Sequence, residues 1–194
     1  MTPTRVLVIG CGNPLRGDDA AGPVLVRRLR DRGLPAGARC ADGGIGGLDV
    51  VFQMRGVPEV ILVDACRTGA EPGAIFEVPG AEVANLPPLA GINIHALRWD
   101  HALAFARWLL REGRPDRVTA ILIEGAAFDV GAALSPAVDR AIDAVVERLA
   151  ARLAPLADGA ALAGYELERL AASAAAEEPL DRVQIRQPGG AEGW

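Results

Sequence analysis

At 194 residues the chain has room for one domain with a full hydrophobic core. Hydrophobic residues make up 51% and aromatics 4%, which excludes wholesale disorder and calls for a core of Val, Leu, Ile and Ala. A net charge of −5, with the arginines spread along the chain as a solvated face, speaks against a nucleic-acid footprint or a polybasic membrane patch. No stretch approaches the roughly 18 apolar residues of a membrane span. The opening MTPTRVLVIG lacks the anatomy of a signal peptide. A cytoplasmic protein without membrane insertion is expected, and a monomer. Cys11, Cys40 and Cys66 form no CxxC pair, so buried, reduced thiols are expected in place of a disulfide or zinc framework.

In chain order, Val6-Leu7-Val8-Ile9 reads as a buried strand that breaks at Gly10 into a loop carrying Asn13, Asp18 and Asp19. Ala20 to Arg32 has helical periodicity, stopped by Gly33 and Pro35. Ala38 to Ala41 is a short second strand running into Asp42-Gly43-Gly44-Ile45-Gly46-Gly47, and a short helix follows from Leu48 to Arg55. Glu59 to Asp64 (EVILVD) is the clearest buried strand, with Asp64 at its C-terminal end. Gly73 to Pro79 alternates like an edge strand, and Asn85 to Asn93 is loop. A helix is expected over Leu97 to Arg111, with Leu97, Ala104, Phe105, Trp108 and Leu109 on its buried face. Val118 to Glu124 is another strand. A long helix, Leu134 to Leu153, has Ser135 as N-cap and Pro136 in its first position.

Alternating strands and helices predict a three-layer α/β domain, a mostly parallel twisted sheet with helices on both faces. The expected domain spans residues 1–154, and 155–194 form a C-terminal extension, partly helical or disordered.

In such sheets ligands bind at the C-terminal ends of the strands. Asp18 and Asp19 follow the first strand, Asp42 the second and Asp64 the third. Either of the adjacent pair can cap the following helix, but both cannot occupy the cap, so one is left to face the crevice. Asp42 reads equally well as a turn residue. His101 falls within a helix, whereas His95 lies in the loop before it. Asp19, Asp64 and His95 thus come from three segments that can meet at one rim. Two carboxylates and an imidazole suit zinc, nickel or iron(II), with positions open for water or substrate.

Gly10-Cys11-Gly12 also fits the start of a dinucleotide fingerprint. However, Leu15 stands where the third glycine belongs, and two aspartates would face the pyrophosphate. A Cys66 or Cys11 nucleophile has no evident base beyond His95, and an inert thiol is the simpler reading of each.

With these residues in view, the chain resembles the hydrogenase maturation proteases, which trim the C-terminus of the nickel–iron hydrogenase large subunit. GCGNPLRGDDAAG is similar to that family's Gly-x-Gly-Asn-x-Leu motif with its acidic pair. DGG at Asp42 to Gly44, VDA at Val63 to Ala65, the loop histidine His95 and LSPAV at Leu134 to Val138 follow in the family's order. The likeness covers roughly Arg5 to Leu153. The histidine is reached through INIH in place of a Ser- or Thr-containing lead, and IEGAAFDVGAA lacks the Pro-Glu pairing of some members.

The resemblance implies an endopeptidase, a protease of the aspartate/metal-dependent kind. Its metal-binding and catalytic set is Asp19, Asp64 and His95, and Asp42, Gly43 and Gly44 position the substrate. It further implies a nickel ion supplied by the substrate, a hydrogenase large-subunit precursor. A module that docks on a nickel-loaded partner without cutting it needs the same three ligands, and so does a general metallopeptidase.

Overall fold

The computed structural model describes residues 3–45, 47–83, 106, 109, 110 and 113–158. Five strands form one sheet: β1 (Val6–Cys11), β2 (Ala38–Gly44), β3 (Glu59–Cys66), β4 (Ile75–Pro79) and β5 (Arg117–Glu124). Their order is β2-β1-β3-β5-β4. The β1–β2, β1–β3 and β3–β5 pairs are parallel, and only β4 runs antiparallel, on β5 at the sheet's margin. This is the expected mostly parallel α/β architecture, with the alternating segment 75–79 at an edge.

The continuous apolar runs of β1 and β3 follow from burial on both faces, because successive side chains point to opposite sides. Val6, Val8, Ile61 and Val63 face one core with Leu25 and Leu29 of α1 (Ala21–Arg32). Leu7, Ile9, Val60 and Leu62 face a second core with Val50, Val51 and Met54 of α2 (Gly47–Met54). A single helical turn, α3 (Gly80–Val83), follows β4. The long helix α4 (Pro136–Leu153) joins α1 in the first core through Val138, Ile142, Val145 and Leu149. Its cap is as read from LSP: the Ser135 hydroxyl accepts from the Val138 N–H, and Pro136 opens the helix.

Three expectations shift. β2 continues past Ala41 to Gly44, because a Cβ at Gly43 would lie 2.7 Å from Ile9 Cγ2 and 3.1 Å from Val50 Cγ2. The absent side chain lets the strand stay pressed against the core where the sequence reads as loop. Within the expected helix Leu97–Arg111, most of which lies outside the described residues, Ala106 and Leu110 are the buried pair and Leu109 is 37% exposed. The Leu110 N–H donates to the Ala106 carbonyl at 2.9 Å, and residues four apart share a helix face that Leu109 does not. The arginines are not simply solvated. Arg28 pairs with Asp139 (2.5 Å) and Asp143 (2.7 Å), and Arg32 with Glu147, lacing α1 to α4.

The packing runs on past α4 through a 3-10 turn, Ala154–Asp158, whose Leu156 is buried in the first core. No helix among the described residues is long and apolar enough to cross a membrane.

Candidate active site

The chain leaves β1, returns to form β2 on one side of it, then crosses to form β3 on the other. That reversal opens a crevice between the C-terminal ends of β1 and β3, where an open α/β sheet binds ligands. Asp19 lies in the loop after β1 and Asp64 near the end of β3, so the topology assigns both to this switch point.

The turn after β1 is tight because its glycines let backbone meet backbone. A Cβ on Gly10 would stand 2.1 Å from the Gly22 carbonyl oxygen, and one on Gly22 2.2 Å from that of Cys11. Helix α1 therefore starts directly against the strand, and no phosphate is needed to explain the motif. Gly12 has a φ of +124°, and a Cβ there would meet the Asp19 carbonyl oxygen at 2.0 Å and Asp64 Oδ1 at 3.3 Å. The Asp19 backbone and the Asp64 carboxylate thus border the same glycine.

Asp19 is half-buried in the 3-10 turn Gly17–Ala20. Its Oδ2 accepts from the Asn13 N–H at 3.1 Å, and Asn13 Oδ1 in turn accepts from the Leu15 N–H at 2.9 Å. The loop is thereby folded around the carboxylate. Asp64 is 6% exposed, and its Oδ1 accepts from the Ala65 N–H at 2.8 Å. His95 lies outside the described residues, as does His101. Among the described residues no group of three His, Cys, Asp or Glu is placed to hold a metal ion.

Asp18 takes a different part. It is fully buried, and its Oδ2 accepts from the N–H groups of Ala126 (2.7 Å) and Ala127 (3.0 Å) while Oδ1 accepts from that of Ser135 (2.7 Å). Burial pushes its pKa up, but these backbone donors outweigh burial and hold it below the ordinary aspartate value. The capping reading sends this side chain to the helix that follows it. Instead it crosses to the loop before α4, and α1 begins at Ala21, with Ala20 in the N-cap position and no side-chain cap.

Asp42 is exposed at the end of β2, and its Oδ1 accepts from the Gly44 N–H at 2.8 Å, an Asx turn. Gly44 has a φ of +56°. In the sheet Asp42 lies level with Gly10, which lies level with Val63. Two strand spacings, about 10 Å, therefore separate Asp42 from the end of β3.

One contributor escapes sequence reading. Glu124, at the end of β5, is 2% exposed. Its carboxylate accepts from the Thr68 N–H, the Thr68 hydroxyl and the Gly69 N–H, each at 2.9 Å, and from the Cys66 thiol at 3.3 Å. It fixes the chain just beyond Asp64. The only sequence signal is a lone acid ending the apolar run VTAILIE. Burial, with the nearby Glu124 and Asp64 carboxylates, pushes the Cys66 thiol far up, so it stays protonated and is no nucleophile.

The family model for hydrogenase maturation proteases matches residues 23–152. The chain belongs to the hydrogenase maturation protease family. It is 32% identical over 143 residues to the hydrogenase expression/formation protein HupD of Rhodobacter capsulatus, covering 73% of this chain and 67% of that one. To the hydrogenase 2 maturation protease of Escherichia coli it is 28% identical over 151 residues, covering 77% and 90%. Its fold superposes on the hydrogenase maturating endopeptidase HybD of E. coli with a TM-score of 0.65 and 26% identity, over 78% of this chain and 93% of that one. This hydrogenase maturation protease is thus an endopeptidase, and the crevice between β1 and β3 is its candidate active site.

Proposed function

We propose that this protease removes a C-terminal peptide from the nickel-loaded large-subunit precursor of a nickel–iron hydrogenase, with Asp19, Asp64 and His95 as its working residues. The observation that supports this most is that the Asp19 backbone and the Asp64 carboxylate both close on Gly12, at the space a Cβ there would take, at the switch point of the sheet. Both carboxylates lie in or beside the loops that end β1 and β3, where they accept backbone N–H groups. Asp19 in particular keeps Oδ1 unengaged among the described residues.

In this reading nickel arrives as part of the substrate. Asp19, Asp64 and His95 are the donors proposed to meet it, a hard and borderline set that suits the ion. Nickel held there would either supply Lewis acidity or serve only as a recognition mark. The chain's own part is positional. The Asn13 N–H orients the Asp19 carboxylate, Glu124 steadies the segment after Asp64, and the carboxylate oxygens can hold a water against the scissile carbonyl. Asp42, Gly43 and Gly44 are proposed to position the substrate's chain, and the enzyme is proposed to act as a cytoplasmic monomer.

The test is incubation of purified protein with nickel-loaded and nickel-free precursor, followed by intact-mass analysis. Loss of the C-terminal peptide from the nickel-loaded form alone is expected. Stable association with no mass loss would make the protein a docking module, and equal cleavage of nickel-free or unrelated peptides would make it a general peptidase.

A further inference from the structure

β2 is the edge strand next to the candidate active site. It pairs with β1 on one side, and among the described residues no strand pairs with the other. Edge strands are normally covered or blunted by charge. This one carries the exposed Arg39 and Asp42 and borders an open groove of about 840 Å³ shared with α2, lined among others by Arg39, Asp42, Ile45, Phe52, Gln53 and Arg55.

Three features of the groove are those of a peptide site. Ile45 is 73% and Phe52 58% exposed, two of the few large apolar side chains left in solvent among the described residues. The Gln53 carboxamide donates from Nε2 to the Asp42 carbonyl at 3.1 Å, while its Oε1, shut off from solvent, accepts nothing among the described residues. A buried acceptor without a donor is costly, and a peptide N–H would satisfy it. Arg39 and Arg55 form no ion pair among the described residues. Arg39 only reaches the Gln53 backbone carbonyl at 3.5 Å, so although Asp42 and Asp49 also line the groove, neither guanidinium is tied to a carboxylate among the described residues.

The groove is also continuous with the active-site rim, because Asp42 to Gly44 line it and end β2 beside the Asp19 loop. The Gly12 N–H donates to the Gly44 carbonyl at 3.0 Å.

We propose that this groove binds an extended segment of the precursor's C-terminal region by adding it as a strand to the free edge of β2. A bulky apolar side chain of the segment lies on Ile45 and Phe52, and an acidic side chain or terminal carboxylate meets Arg39 or Arg55. Backbone pairing gives the affinity and these two contacts give the selectivity. The added strand lies three strand spacings from β3, about 14 Å, so the anchoring residue is about four extended residues from the cut bond. The proposal rests on the reading that the enzyme trims hydrogenase precursors.

The test uses the full-length enzyme and nickel-loaded precursor, comparing wild type with Phe52→Asp, Arg55→Glu and, separately, Asp64→Asn. Phe52 and Arg55 are exposed side chains, so folding should survive, and thermal melts verify this. A rise in KM of about tenfold for Phe52→Asp and Arg55→Glu, with kcat held within about twofold, is expected. In parallel, a synthetic peptide spanning the cut and the C-terminal extension should slow amide exchange along β2 in wild type and not in Phe52→Asp. Unchanged KM in both groove variants, or unchanged β2 exchange, overturns strand addition. If Asp64→Asn still abolishes trimming in that case, the maturation reading stands without it. If wild type fails to trim the precursor at all, both readings fall.

Discussion

Asp18 and Asp19 are adjacent in sequence and opposite in environment. Asp18 is sealed beneath the loop before α4, where three backbone N–H groups converge on it, and Asp19 is half-buried with its Oδ2 accepting from the Asn13 N–H. An Asp18→Asn protein loses a charged acceptor and cannot satisfy all three donors. Urea denaturation at neutral pH should show a loss of about 3 kcal/mol. The sign of the pH dependence follows from the depressed pKa. The unfolded chain takes up a proton near 3.8 and the folded chain only below that, so Asp18's contribution is complete above about pH 4 and fades as pH falls through the folded value. The wild-type advantage over Asp18→Asn should therefore shrink on acidification below that point. Sequence separates the two aspartates only by elimination, since one cap cannot hold both. It does not show that Asp18 serves a loop more than a hundred residues away, because that contact exists only once α4 has packed beside α1.

At the scale of elements, the contact between β1 and α1 controls how the Asp19 loop is presented. Gly22→Ala places a methyl 2.2 Å from the Cys11 carbonyl oxygen, against backbone on both sides. Soluble expression and thermal melting should report a loss of about 3 kcal/mol or outright misfolding, beyond the usual range for an exposed glycine. At the opposite end of the sheet, buried Glu59 is held by Arg152 at 2.8 Å and by Arg117 at 3.6 Å, and Arg152 also reaches Glu77 at 3.1 Å. Arg152→Ala leaves a carboxylate that is 4% exposed with only the longer contact to Arg117 and should cost about 2 kcal/mol in denaturant melts. Trimming at the far rim should keep its KM. The strands and long helices were legible because period and caps agree with burial. The extension of β2 to Gly44 was not legible, since glycines that read as loop are tolerated in a strand that must press against Ile9, Cys11 and Val50. Glu124 was hidden for a related reason, as its hydrogen-bond partners follow β3 and no local pattern links them.

For the whole molecule, the sheet order places the Asp19 loop, Asp64 and the Asp42 turn on one rim, and three motifs of the family likeness, the acidic-pair loop, DGG and VDA, map there. Charge and composition excluded partners more readily than they named one, and the substrate reading came from ordered motifs. His95 and the donors' convergence on an ion are matters of three-dimensional meeting that no spacing rule encodes. The central claim is that Asp19, Asp64 and His95 act together on a nickel-loaded precursor. Single-turnover trimming of that precursor by wild type, Asp19→Asn, Asp64→Asn and His95→Ala, each verified as folded, tests it most directly. A loss of rate on the order of a hundredfold or more in each of the three variants is predicted. Trimming at the wild-type rate by folded Asp64→Asn would contradict the account.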